Sequence, residues 1–101
     1  MRALAYVYDS ADRPAHVDAV LDRVAERGDD PRLVDVDDGD REDGRREAAL
    51  VVRQAVRVGS YPDALYADDG SLTFAPGALV TEAQTGRRTL HVGPDALEAL
   101  R

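Results

Sequence analysis

The chain contains no cysteine, no tryptophan and no lysine among its 101 residues. Without cysteine, it cannot by itself form a disulfide, a thiolate metal site or a catalytic thiol. It also lacks any apolar run approaching the roughly 20 residues that a membrane-spanning helix needs, and its N-terminal residues show no signal-peptide pattern. We therefore expect a soluble, cytoplasmic protein that carries out no thiol chemistry.

Length and hydrophobic content indicate a single globular domain over residues 1–101. Hydrophobic residues make up 44% of the chain, and a domain of this size buries about two-thirds of its unfolded surface. The chain has only one Phe and one Met, so Leu, Val and Ala must fill its core.

The charge is strongly negative, with 20 acidic residues against 13 basic ones and a net charge of -7. Such a surface argues against nucleic acid or an anionic membrane as a partner. An acid-rich surface without lysine resembles those of proteins from salt-accumulating halophiles, of haloarchaeal type. In molar salt the screening length falls to about 3 Å, so self-repulsion costs little. The resemblance implies unfolding at low salt.

Apolar patterning predicts the order strand, helix, strand, helix for the first half of the chain. The continuous apolar run Ala3–Tyr8 predicts a strand that is buried on both faces. A helix with Pro14 in its first turn follows and ends at Gly28, with Asp12 or Ser10 as its cap. Its predicted core-facing stripe consists of Val17, Val20, Leu21, Val24 and Ala25.

The second strand is predicted over 32–36, parallel to the first in a right-handed βαβ unit. A second helix is predicted over 45–58 and ends at Gly59. Short strands over 64–67 and 71–74 flank the turn at Asp69-Gly70. A second hairpin pairs 78–82 with 88–92, with His91 on the solvent side, and a short helix follows Gly93.

This order resembles the thioredoxin fold, an α/β three-layer α/β/α sandwich of βαβα, then antiparallel strands and a short C-terminal helix. The stretch from Val58 to Tyr66 resembles the thioredoxin segment in which a cis-proline precedes the third strand. The stretch from Ala5 to His16 aligns without gaps on the first strand and active-site turn of that family. On this alignment the Cys-Gly-Pro-Cys motif becomes Asp12-Arg13-Pro14-Ala15. Both sulfurs are missing, so the resemblance implies the fold but excludes disulfide exchange.

The resemblance places a candidate binding site where the active-site turn meets the proline loop. Its residues are Asp12, Arg13, Ser60, Tyr61 and Pro62. In redox relatives the proline loop pairs with an extended substrate peptide, so here it is a candidate docking loop for a protein partner. The alternatives are a purely structural turn at Pro62 and a simple N-cap at Asp12.

Two functional hypotheses follow. The first is a non-catalytic thioredoxin-like module for protein binding or scaffolding. The second is a small enzyme that uses the same cleft with Asp12 and His16, which would share a helix face at this spacing. No third ligand for a metal, no cofactor motif and no nucleophile with a supporting base can be identified. The acidic run over 35–43 lacks the final Glu of a calcium loop.

A homodimer through an exposed strand edge within 78–92 is a third possibility.

Overall fold

The structure is a computed structural model that describes residues 1–37 and 77–101, which form one four-stranded mixed sheet and two helices. The elements are β1 (Arg2–Tyr8), α1 (Ala15–Arg27), β2 (Arg32–Asp35), β3 (Ala78–Glu82), β4 (Arg88–His91) and α2 (Asp95–Ala99). The helix predicted over 45–58, the strands predicted over 64–67 and 71–74, and the loop Ser60–Pro62 lie outside the described residues.

The strand order is β2-β1-β3-β4, with β1 inside the sheet. β1 runs parallel to β2, with Tyr6 opposite Leu33, so the predicted βαβ unit is confirmed. β3 pairs antiparallel with β1 and with β4, which confirms the second predicted hairpin. Tyr6 and Val7 have no exposed surface, as expected for a central strand covered on both faces.

The two faces of the sheet carry separate hydrophobic clusters. On one face, Tyr6 and Leu79 pack against both helices. The helix residues of this cluster are Val17, Val20, Val24, Ala96 and Leu100. The opposite face carries a second buried cluster, which consists of Ala5, Val7, Val34, Val36, Ala78 and Val80. An irregularity in β1 between Ala3 and Ala5 shifts the register against β3. As a result, Ala3 belongs to the helix-covered cluster and Ala5 to the other one.

Helix α1 begins and packs somewhat differently from the prediction. Pro14 occupies the N-cap position with φ -62 and ψ 156, and no side chain caps the helix, so the prediction of Asp12 or Ser10 as the cap is wrong. The reason is local, because the fixed φ of proline suits the start of a helix and leaves Asp12 in the preceding turn. Ala25 is exposed, contrary to the predicted stripe. Gly28 ends the helix with φ 74, as predicted.

The prediction that His91 lies on the solvent side of its strand is also wrong. His91 is half-buried and lies opposite Leu79, a residue of the helix-covered cluster. Directly opposed residues of an antiparallel pair share one face of the sheet. His91 therefore faces the helices, and Leu90 packs against the other cluster.

Polar side chains tie helix α1 to both ends of the chain. The Nε of Arg23 donates a hydrogen bond to the carbonyl oxygen of Leu100 at 2.9 Å. Asp29 accepts one from the backbone N–H of Ala3 at 3.3 Å and pairs with Arg27, also at 3.3 Å. These contacts hold α1 across the helix-covered face. In the described part of the chain, neither helix is long and apolar enough to cross a membrane.

Candidate functional site

Four chain segments converge at Gly77, where β3 begins. Its backbone N–H donates a 2.7 Å hydrogen bond to the carbonyl oxygen of Val7 near the end of β1. A Cβ built on Gly77 would stand 3.6 Å from the Cα of Gly93, which follows β4, and 3.4 Å from Nε2 of His16 in the first turn of α1. Ligands in open α/β sheets bind beside the carboxyl ends of the parallel strands. The convergence lies at that edge, so we treat it as the candidate site.

Two carboxylates shape the turn between β1 and α1. Asp9 is only 2% exposed, and its Oδ1 accepts a hydrogen bond from the backbone N–H of Ala11 at 3.0 Å. Asp35 accepts from the backbone N–H groups of Ser10 at 3.1 Å and Asp37 at 3.0 Å. The turn is thus held by one aspartate from the end of each parallel strand, a position that sequence analysis did not single out.

The environment of Asp35 favours its ionised form. Desolvation alone would raise the pKa of this carboxyl group. Hydrogen bonds from the Ser10 side chain and from the backbone of Asp37 and Ser10, together with the positive charge of Arg13, outweigh desolvation and lower the pKa below its ordinary value. A charged Asp35 is therefore part of the architecture of the turn.

The structure places both predicted site residues of the turn on the surface, just before α1. Asp12 and Arg13 are exposed. The guanidinium of Arg13 pairs with Asp18 at 2.7 Å and lies 5.9 Å from the ring centroid of Tyr8. Tyr8 in turn stacks on Tyr6, with ring centroids 6.0 Å apart. Exposed ion pairs contribute little to stability, so Arg13 remains available for exchange of partners.

The hydroxyl group of Tyr6, one of the two stacked tyrosines, is a buried polar group. Its side chain has no exposed surface, and its hydroxyl group makes no hydrogen bond to any described residue. Burial raises the pKa of Tyr6 to about 12, although the nearby charge of Arg13 acts in the opposite direction. The phenol therefore stays neutral and serves as a packing group rather than as an acid or base.

His16 is the most distinctive side chain of the site. Its Nε2 is buried, yet within the described ranges it has no hydrogen-bond partner. Buried polar atoms are nearly always satisfied, so an exception needs an explanation. The proposed acid–base pair with Asp12 does not supply one. Asp12 precedes the N-cap Pro14, so the two residues do not share a helix face.

The second histidine has a partner within the sheet. Nε2 of His91 lies 3.0 Å from Oγ1 of Thr81, which is itself only 3% exposed. Burial lowers the pKa of His91, and the nearby Asp95 carboxylate opposes this shift. His91 thus belongs to a half-buried polar pair beside the candidate site and favours its neutral form.

The other predicted site residues, Ser60, Tyr61 and Pro62, lie outside the described residues. The strand that pairs antiparallel with β1 is β3, which begins directly after Gly77. The pair Pro76-Gly77 directly before an apolar run was a usable sequence signal for the start of this strand. Asp9 and Asp35 could have been found as the acidic residues that end two successive apolar runs.

The chemistry open to the site is limited. No thiol exists anywhere in the chain, which excludes thiol–disulfide exchange. Within residues 1–37 and 77–101, no group of three or more acidic or histidine side chains could hold a metal ion. Comparison with protein-family models, with curated proteins and with solved structures gives no match.

Proposed function

We propose that this chain is a cysteine-free thioredoxin-like module that binds a segment of a protein partner and does not catalyse a reaction. The described elements support this proposal because they follow the layout that the resemblance implies. A parallel βαβ unit comes first, and an antiparallel hairpin and a short helix close the chain. The absence of cysteine removes the catalytic chemistry of that fold.

The full proposal is a three-layer sandwich. Both described helices pack on one face of the sheet. The other face carries a buried apolar cluster that no helix or strand of residues 1–37 and 77–101 covers. The sequence predicts a helix over 45–58 with an apolar stripe, and we propose this helix as the third layer. A working environment of molar salt and a cytoplasmic location are part of the same proposal, and they rest on composition.

The observation that carries the proposal is that Nε2 of His16, beside the backbone of Gly77, is buried and has no hydrogen-bond partner among the described residues. Glycine lets another backbone approach closely. A buried polar atom without a partner costs about 1–3 kcal/mol. A partner segment that reached this nitrogen and gave it a hydrogen bond would recover this energy, so we place the docking point beside His16.

The rim residues give the site its selectivity. Asp12 and Arg13 are exposed on the same turn and offer one charge of each sign. Backbone hydrogen bonds hold an extended peptide, and side chains at the rim select its sequence. We propose that the loop Ser60–Pro62, which lies outside the described residues, forms the opposite wall, as the resemblance implies.

A peptide-binding screen in molar KCl tests the proposal. A library of random extended peptides is panned against the full chain, and the affinity of each selected peptide is measured for the wild-type chain and for variants. We expect Arg13→Ala and His16→Ala to weaken binding about tenfold or more. The matched control is Glu98→Ala, an exposed charge on α2, which should leave the affinity unchanged.

Two results would contradict the proposal. One is that no peptide binds above the level of a denatured control. The other is that all selected peptides bind His16→Ala and Arg13→Ala as tightly as the wild-type chain, which would place their binding elsewhere. Far-ultraviolet circular dichroism of each variant shows whether a loss of affinity reflects unfolding instead.

A further inference from the structure

Strand β4 is one of the two outer strands of the described sheet, because β3 pairs with one of its sides and no described strand pairs with the other. An outer strand presents a row of backbone donors and acceptors that can pair with another chain. Three properties of this edge determine which strand can pair with it: the direction of its backbone groups, its charge and its exposed apolar residue.

The phase of the ladder determines which backbone groups point outward. The N–H of Ala83 donates to the carbonyl oxygen of Arg87 at 2.9 Å and closes the hairpin. Hydrogen-bonded pairs alternate along an antiparallel ladder. The backbone groups of Thr89 and His91 therefore point to β3, and those of Leu90 and Val92 point to the side that no described strand occupies. A partner strand has to match this phase.

The charge along the edge is unusual for this chain. Residues 83–94 contain no acid, the longest acid-free stretch in the described part of the chain, although the whole chain has a net charge of -7. Arg87 lies at one end of β4, and Asp95 follows its other end. An antiparallel copy of the same strand would bring the Arg87 end of one chain to the Asp95 end of the other.

We infer that β4 pairs antiparallel with β4 of a second copy of this chain, with the two-fold axis at Leu90. In this register Leu90 meets Leu90 of the second copy, and Val92 meets Arg88. Each outward N–H group of one β4 then lies opposite an outward carbonyl group of the other β4. Val92, which is 45% exposed in the single chain, becomes covered. The two sheets join into one continuous sheet, and the interface is self-complementary as a two-fold dimer requires.

The opposite edge does not offer the same match. β2 also carries an exposed apolar residue, Leu33, which is 51% exposed. However, acids lie at both ends of β2, with Asp29 and Asp30 before it, Asp35 as its last residue and Asp37 after it. Two such edges would repel each other, because like charges that face each other across a strand pair destabilise it. The dimer inferred for β4 does not depend on the proposed peptide-binding function.

Sedimentation of the full chain in molar KCl tests this inference, and no peptide is needed. We expect a reversible monomer–dimer equilibrium. Val92→Arg should weaken dimerisation about tenfold or more, because it sets a charge against Arg88 of the second copy. Val92→Asp should strengthen dimerisation by pairing with the same Arg88. The matched control is Leu33→Arg, which changes an equally exposed apolar residue on the other edge and should leave the equilibrium unchanged.

A cysteine variant provides an independent readout of the register. Opposed residues of a hydrogen-bonded antiparallel pair have Cα atoms about 5.5 Å apart, within the range of a disulfide. Leu90→Cys should therefore give a covalent dimer on mild oxidation, since the chain has no other cysteine. Leu33→Cys should stay monomeric under the same conditions.

Any of three results would overturn the inference. The first is a chain that remains monomeric at all concentrations. The second is a dimer that responds to Leu33→Arg and not to Val92→Arg. The third is open-ended growth of the assembly, which would indicate pairing of β4 with β2 rather than with itself. None of these results bears on peptide binding at His16, so the two proposals fail or succeed separately.

Discussion

His16 lies over Gly77, with its Nε2 3.4 Å from the point where a Cβ on that glycine would stand. Gly77 also has a φ of +98, which side-chain-bearing residues rarely adopt. Alanine at this position would be strained and would crowd the imidazole. We expect Gly77→Ala to lower the free energy of unfolding by about 1–2 kcal/mol from the backbone strain, with a further loss from the crowding. Urea unfolding in molar KCl measures the change.

Gly28→Ala is the matched control. Gly28 has a φ of +74, and among the described residues no atom beyond its neighbours in the chain lies within 4 Å of an added Cβ, so this variant has a backbone penalty without the crowding. Gly77→Ala should therefore be the more destabilising of the two. In the background of His16→Ala the difference should shrink. If Gly28→Ala proves as costly as Gly77→Ala in both backgrounds, the contact between His16 and Gly77 has no energetic role.

The hydroxyl group of Tyr6 supports a second prediction. It is buried without a partner among the described residues, and a polar group in this state costs free energy. Tyr6→Phe removes the hydroxyl and keeps the ring. We expect unfolding free energy to stay the same or rise by up to about 1 kcal/mol. Tyr6→Ala, which also deletes the ring, should cost about 3 kcal/mol or more.

Titration of phenolate absorbance examines the same residue in a different way. The pKa of Tyr6 is raised from 10.0 to about 12. The stability that follows from a raised pKa is complete below pH 10.0 and is lost as the pH rises towards 12. The phenolate step near pH 12 in the folded wild-type chain should be missing from Tyr6→Phe. A Tyr6→Phe chain that is clearly less stable would show that the hydroxyl has a hydrogen bond after all.

His91 makes stability depend on pH. Burial lowers its pKa in the folded state, with Asp95 opposing, below the ordinary value of 6.5. The unfolded chain therefore binds the proton more tightly. The stability contribution is complete above pH 6.5 and is lost as the pH falls towards the folded pKa. As the pH falls below 6.5, we expect the free energy of unfolding of the wild-type chain to decline. The free energy of unfolding of His91→Gln should decline less.

Thr89→Gln serves as the control for this experiment. Thr89 is an exposed residue of the same strand, so the variant changes β4 but leaves His91 to titrate. It should retain the wild-type slope of unfolding free energy against pH. Equal slopes for wild type and His91→Gln would show that the histidine has the same proton affinity in both states.

The two strongest predictions from the sequence concern local patterns. The unbroken apolar run of β1 predicted a strand covered on both faces, and the structure confirms it in Tyr6 and Val7. The position of Gly28 after an apolar stripe predicted the end of α1, and its φ of 74 confirms it. In both cases the residues that determine the outcome are close together in the chain.

The positions that the sequence did not predict correctly are determined by contacts between residues that are far apart in the chain. Alternation in β4 predicts that Leu90 and His91 lie on opposite faces of the sheet. Only the pairing of His91 with Leu79 shows that His91 is on the face that the helices cover. Gly77 acquires its role from Val7 and His16, which are far away in the sequence. The turn of Asp12 and Arg13 could therefore be chosen from the sequence as a candidate, whereas the convergence of segments at Gly77 could not.

The acidic composition supports a prediction about salt. With a net charge of -7, the folded chain repels itself most strongly in dilute buffer. The screening length shortens from about 10 Å at 0.1 M to about 3 Å at 1 M salt, so repulsion fades over this range. We expect Tm to rise by about 5 °C or more between dilute buffer and molar KCl.

A variant with fewer acids separates screening of charge from salt effects on the hydrophobic core, which also strengthen folding. Asp22→Asn with Asp30→Asn removes two exposed carboxylates. If repulsion dominates, this variant should be more stable than wild type in dilute buffer, and the two curves should converge in molar KCl. Parallel curves would assign the salt effect to the core, and a Tm that is independent of salt would contradict the proposed halophilic character. Only convergence of the two curves would show that repulsion between the acidic side chains causes the salt dependence.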